Sequence, residues 1–223
     1  MGNHLYKTKS KYQPVIPEVD ISELVPEPIA IEIHHPTVSD GNVSLFELMV
    51  INKLIRYHNP SKIFEIGTFD GRTTLNISAN STGKARILTL DLPREKIGYT
   101  RLPIDSGDTI YIEKNMSGEK FVGTSYQNKI EQVLGDSASF DFTPFLDSFD
   151  WVFIDGAHSY EYVVNDSNIA RKLLRNGKGV IVWHDYEVKQ GVTRALNELF
   201  SGQSWAGGLK RIAGTSLVCL ITE

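Results

Sequence analysis

The sequence predicts an α/β fold, a doubly wound and mostly parallel sheet, and three observations carry that prediction. Five short apolar runs, KIFEIG (62–67), ARILTLDL (85–92), KIEQVLG (129–135), DWVFID (150–155) and GVIVWHD (179–185), read as buried strands. Segments of helical period, notably 71–80, 159–175 and 188–200, lie between or after them, and parallel neighbours need such crossovers. The chain ends differently: LKRIAGTSLVCLIT gives two strand-like runs parted by Ala213, Gly214 and Thr215, which predicts an antiparallel hairpin added at one edge.

Residues 1–38 hold Pro14, Pro17, Pro26, Pro28 and Pro36, with Lys7, Lys9 and Lys11 near the start and little periodicity. They read as an extended arm that wraps the domain or a neighbouring subunit, so a homodimer joined through the arm is expected. His34 and His35 within it read as incidental. The domain proper is residues 39–223. Val43, Phe46, Val50, Leu54 and Tyr57 recur at helical spacing, and Asn59-Pro60 stops that first helix. Residues 93–128 form a connection too long for a plain turn, with four glycines (98, 107, 118 and 123), several basic residues and a weak strand signal at TIYIE. Such loops are functional or disordered, and a lid over the substrate is the favoured reading.

Composition removes several classes of function. With 23 basic against 27 acidic side chains the formal charge is −4, so no net positive field draws in nucleic acid or an anionic membrane. No stretch approaches the roughly 20 apolar residues needed to span a bilayer. MGNHLYK lacks a signal-peptide core and places Tyr6 where a myristoylation signal needs Ser or Thr. Cys219 is the single cysteine, so no intrachain disulfide is available, any metal must take oxygen and nitrogen ligands, and a reducing cytoplasm is the expected setting.

In open α/β sheets ligands bind beyond the carboxyl ends of the strands. Those ends carry Glu65 and Gly67, then Asp91, Asp136, Asp155, and His184 with Asp185. An acid-lined rim suits ribose hydroxyls, an adenine amino group or a cation. In the first turn, EIGTFDGRT, Gly67 lets the chain leave the strand tightly and Gly71 lets the helix pack close, leaving free N–H groups for an anion. Thr68 and Phe69 fill the turn, and Phe69 replaces the middle glycine of the dinucleotide fingerprint. Asp91 stands 24 residues past Gly67, a spacing that suits a carboxylate accepting both ribose hydroxyls. Asp136 and Ser137 read either as an adenine contact or as a Gly-Asp-Ser turn.

The order EIGTFDG, LTLDLP, LGDS, DWVFIDGAHSY, GVIVWHDY resembles the class I S-adenosylmethionine-dependent methyltransferases. It is most similar to the metal-assisted O-methyltransferases, the group containing catechol and sugar O-methyltransferases. The resemblance spans about residues 40–222 and leaves out the arm and the long loop. It implies a Rossmann-like, seven-stranded sheet with a reversed last strand. It also implies that Glu65 and Gly67 flank the methionine part of S-adenosylmethionine, Thr73 holds its carboxylate, Asp91 its ribose, and Asp136 with Ser137 its adenine.

Methyl transfer to a hydroxyl needs that hydroxyl deprotonated, by a positioned base, a cation, or both. His158 is the expected base, beside Asp155, with Gly156 and Ala157 keeping the turn small. Asp155, Asp185 and His184 are the expected ligands of a Mg²⁺ or Mn²⁺ ion. Successive strand residues face opposite ways, so His184 and Asp185 share an ion only if the strand has already turned. An acid at a strand end also serves as a helix cap, and a turn histidine also bonds backbone. Trp183 and Tyr186 read either as stacking partners of a small-molecule acceptor or as packing. Beside O-methylation stand a metal-independent N- or C-methyltransferase, a nicotinamide-dependent oxidoreductase, which Phe69 disfavours, and a cofactor-binding protein without catalysis.

Overall fold

A computed structural model describes residues 11–114 and 116–223; Tyr6, Lys7 and Lys9 lie outside them. In chain order the elements are β1 (Glu18–Val19), α1 (Ile21–Leu24), α2 (Leu45–His58), β2 (Lys62–Ile66), α3 (Arg72–Asn80), β3 (Arg86–Asp91), α4 (Thr109–Ile112), β4 (Ile130–Leu134), β5 (Trp151–Ile154), α5 (Tyr160–Leu173), β6 (Gly179–Trp183), α6 (Gln190–Gly202), β7 (Lys210–Ile212) and β8 (Val218–Thr222). They form one sheet in the order β1-β7-β8-β6-β5-β2-β3-β4. Only β8 opposes its neighbours, β6 and β7.

The sheet has eight strands where seven were expected, and the arm supplies the extra one. Residues 18–19 pair with β7, whose far edge would otherwise be bare, and Arg211 and Ala213 donate their N–H groups to the Pro17 and Val19 carbonyls at 2.9 and 3.0 Å. The terminal hairpin is present, but β8 inserts beside β6 and leaves β7 outside it. At TIYIE the expected strand is replaced by the helical turn α4, with Ile110 left 60% exposed. Its chain is tied down at Asp108, and that anchor overrides the β-propensity of the two isoleucines.

Alternation along each strand divides the core. Phe64, Leu88, Val152 and Ile181 face a layer with Val163, Leu173, Val192 and Leu196 of α5 and α6. Ile63, Ile87, Phe153, Val180 and Cys219 face the other way, toward Leu48, Ile51 and Leu54 of α2 and Ile77 of α3. Trp183 and Tyr186 are each 1% exposed within the first layer, so packing is the reading that holds for both.

The described part of the arm lies on its own chain. Ile16 and Val25 are buried, and the Tyr186 hydroxyl accepts from the Val15 and Ile16 N–H groups at 3.1 and 3.3 Å. Two buried asparagines one turn apart on α3 read the arm's backbone as a sheet partner would. Asn76 bonds both the N–H and the carbonyl of His34, at 2.9 and 3.0 Å, and Asn80 does the same to Glu32, at 2.9 and 2.8 Å. Asn80→Ala strands the Glu32 N–H and leaves its carbonyl with only the Asn52 amide at 3.3 Å, so urea denaturation should show a loss of about 1–2 kcal/mol; a change below about 0.5 kcal/mol would mean water replaces the amide. Among the described residues no helix is long and apolar enough to cross a membrane.

Register positions the functional end of the sheet. Ile66 lies opposite Leu90 and Ile154, and Ile154 opposite Trp183. The ladder continues one residue further: Gly67 N–H bonds the Leu90 carbonyl at 2.8 Å, Asp155 N–H bonds Ile66 at 2.9 Å, and His184 N–H bonds Ile154 at 3.1 Å. Gly67, Asp155 and His184 therefore leave the sheet side by side.

Candidate active site

A cleft of about 560 Å³ opens at that end. Gly67, Phe69, Asp91, Asp136, Ser137, Asp155, His158, His184 and Asp185 line it. The other expected cofactor residues, Glu65, Thr68, Gly71 and Thr73, stand behind its wall. Phe69 and Gly71 both have positive φ, 50° and 82°, which folds the turn back so that Gly71 opens α3. Thr68 bonds Thr89 through their hydroxyls at 2.6 Å. Glu65 is fully buried: one carboxylate oxygen accepts from Thr74 and Thr89 at 2.5 and 2.6 Å, and Oε1 has no partner. Burial pushes its pKa up to about 8 against the two hydroxyls, with Asp155 and Asp91 adding to the rise.

Segment 93–128 is docked on the residues expected to hold the cofactor. Asp91 Oδ2 meets Lys114 Nζ at 2.7 Å and accepts from the Ser117 hydroxyl. Asp136 accepts from the Arg101 N–H at 2.8 Å, from the Tyr162 hydroxyl at 2.7 Å, and from Ala138 N–H at 2.9 Å. The last contact is the local turn bond, so Asp136 lines the cleft and shapes the Gly-Asp-Ser turn together. Gly118 and Lys120 donate their N–H groups to the carbonyls of Phe69 and Asp70 at 2.9 and 2.8 Å.

Deeper in the cleft two histidines alternate with acids. His158 Nε2 lies 2.8 Å from Asp185 Oδ2, its Nδ1 is bonded to Asp108, and its N–H reaches the same Asp108 carboxylate at 2.9 Å. His184 Nδ1 lies 2.9 Å from Asp155 Oδ1, and its Nε2 faces Glu47 at 3.4 Å. Neither acid is a helix cap: Ser159 caps α5, accepting from Tyr162 N–H at 3.3 Å, and Lys189 begins α6 without a side-chain cap.

Among the described residues one cluster could hold an ion, and it differs from the expected set by one residue. Asp155, His158 and Asp185 each offer an atom within 4.8 Å of the others, a set that takes His158 in place of His184. The strand has turned as required, since β6 stops at Trp183 and Asp185 has φ 67°. His184 Nδ1 is held by Asp155, while its buried Nε2 faces Glu47 at 3.4 Å without a hydrogen bond. Burial alone would lower its pKa, but the charges of Asp185 and Asp155 raise it well above the usual value. Glu47 is held below the carboxylate range: burial opposes this, and His184 and Ser216 outweigh it.

Burial also lowers His158, whereas hydrogen bonds to Asp108 and Asp185 raise it to about 9. A folded value above the unfolded one, about 6.5, stabilises the fold fully below pH 6.5, and that stabilisation is lost as pH rises through 9. In EDTA the urea midpoint should therefore fall between about pH 7 and 9.5, and His158→Gln should flatten that slope. An equal slope in both chains would assign the titration elsewhere.

Glu47 and Asp108 escaped the sequence reading. Ser44-x-x-Glu47 is a capping box, in which Glu47 accepts from Ser44 N–H at 2.8 Å, and that local signal hides its reach to His184 and Ser216. Asp108 lies in a segment without periodicity and gives no signal.

A family model described as a methyltransferase domain matches residues 64–186 of the 223. The chain is 33% identical over 127 residues to uncharacterized protein R132 of Acanthamoeba polyphaga mimivirus; the match covers 55% of the chain and 50% of that relative, so the chain spans about half the relative's length. Among solved structures, the O-methyltransferase TomG of Streptomyces achromogenes, involved in tomaymycin synthesis and bound to SAM, has a TM-score of 0.58 at 20% identity, covering 83% of this chain and 84% of that one. The SAH-bound methyltransferase PaMTH1 of Podospora anserina gives 0.57 at 17%, covering 82% and 81%. The O-methyltransferase of Bacillus cereus with SAH gives 0.53 at 15%, covering 82% and 84%. These likenesses establish a shared Rossmann-like architecture, and the family model runs from β2 to the residue after Asp185; the chain belongs to the methyltransferase domain family.

Proposed function

We propose that the chain moves the methyl group of S-adenosylmethionine to a hydroxyl of a small molecule, a sugar or a phenol. The observation that carries this reading is the convergence of Asp155, His158 and Asp185 in the same cleft as Gly67, Asp91 and Asp136. Two of the similar structures are O-methyltransferases, and all three carry SAM or SAH. The acid-lined rim suits a sulfonium and a ribose diol.

In the reaction the acceptor oxygen attacks the methyl carbon, the sulfur–carbon bond breaks, and S-adenosylhomocysteine leaves. The hydroxyl proton goes to Nε2 of neutral His158, a form that release of Asp185 favours, because the hydrogen bonds of Asp108 and Asp185 together raise the ring's pKa to about 9. The carboxylates of Asp155 and Asp185 would suit Mg²⁺ or Mn²⁺, with His158 Nε2 left for the proton. Such an ion would lower the hydroxyl's pKa and fix its oxygen.

Calorimetric titration with S-adenosylmethionine and S-adenosylhomocysteine, with Mg²⁺ or Mn²⁺ and then with EDTA, tests the reading. No binding under any condition would sink it, and binding of NADH instead would favour an oxidoreductase. Methyl transfer indifferent to EDTA would favour a metal-independent N- or C-methyltransferase. Tight cofactor binding without product from any acceptor would leave a non-catalytic protein.

A further inference from the structure

We propose that Asp108 is the positioning residue of His158, and that segment 93–128, by delivering it, assembles the proton-accepting corner only when folded across the cleft. The inference rests on the reading of His158 given above and adds a residue from a different part of the chain. Asp108 is 3% exposed, although the segment around it leaves Tyr99, Ile110, Met116 and Val122 largely exposed. It occupies the N-cap of α4, where an aspartate ordinarily bonds its own helix. Here the side chain makes no cap bond. Both carboxylate oxygens go to His158, one to the backbone N–H at 2.9 Å and one to Nδ1.

That arrangement fixes the ring. With Nδ1 engaged by an acid, the tautomer and the ring plane are set and Nε2 is the nitrogen turned toward Asp185 and the cleft. Without Asp108 either nitrogen can face the acceptor, and the backbone N–H before α5 loses its partner. The contact also works in the other direction. Toward the residues at 155–158, Asp108 is the segment's charged attachment, so His158 holds the segment closed as the segment orients His158.

The experiment uses the full chain labelled with ¹⁵N-histidine, the His158 ring signals being assigned by their loss in His158→Gln. The wild-type chain should show a far-downfield Nδ1–H proton. Asp108→Ala should abolish that signal, Asp108→Glu should restore part of it, and the isosteric Asp108→Asn serves if the alanine variant does not fold. Tryptic cleavage after Lys114 and Lys120 should quicken about tenfold in Asp108→Ala and in His158→Gln alike, with no further gain in the double variant. A His158 signal unmoved by Asp108→Ala would overturn the proposal, as would a cleavage rate indifferent to His158→Gln. Calorimetry with S-adenosylmethionine on the same samples separates the two claims: absent binding with the ring signal lost on substitution refutes the cofactor and upholds Asp108, whereas intact binding with an unmoved signal does the reverse.

Discussion

His158→Ala should lower methyl transfer about 10²-fold or more, some 2.7 kcal/mol of barrier, while S-adenosylmethionine affinity stays within twofold. The asymmetry follows from placement. His158 belongs to the turn after β5 and touches Asp108 and Asp185, whereas Gly67, Asp91 and Asp136 stand at the ends of β2, β3 and β4. Single-turnover transfer of a labelled methyl group gives the rate, and calorimetry gives the affinity. An unchanged rate would remove His158 from the proton transfer. A loss of affinity as large as the loss of rate would make it a cofactor contact instead.

Gly67→Ala should destabilise the protein by about 3 kcal/mol or more, because the position has no room for a Cβ and the wrong φ for one. With φ at 99°, an added methyl would lie 2.1 Å from the Asp155 carbonyl oxygen and 2.8 Å from the Gly156 nitrogen. Both are backbone, so no side chain can swing aside. β2 and β5 would have to part at the point where Asp155 leaves the sheet, and function would go with stability. At roughly 2–4 °C per kcal/mol for a chain of this size, thermal melts followed by circular dichroism should drop by about 10 °C. A drop under about 2 °C would mean the two strand ends separate freely.

The strands and the acids at their ends were legible because a buried parallel strand announces itself by a continuous apolar run, and the first polar residue after the run marks the rim. Asp155 and Asp185 were found that way, and so was Asp91. The choice between His158 and His184 was not legible, since it depends on which ring α2 encloses through Glu47, a contact made across more than a hundred residues of sequence. Asp108 was hidden for a related reason. Its role depends on where an aperiodic segment lands, and landing is decided by polar contacts at separations of 26, 35 and 50 residues. The eighth strand shows the same limit at smaller scale, because two residues carry too little pattern to predict a pairing that β7 alone makes available.

Lys114 and Ser117 already occupy the carboxylate of Asp91. A ligand that needs that carboxylate therefore enters by exchange, trading its hydroxyls against an ammonium the chain itself supplies. Its apparent dissociation constant is the intrinsic one divided by the fraction of molecules in which Lys114 has let go. The carboxylate that a ribose would need is one that Lys114 must first release.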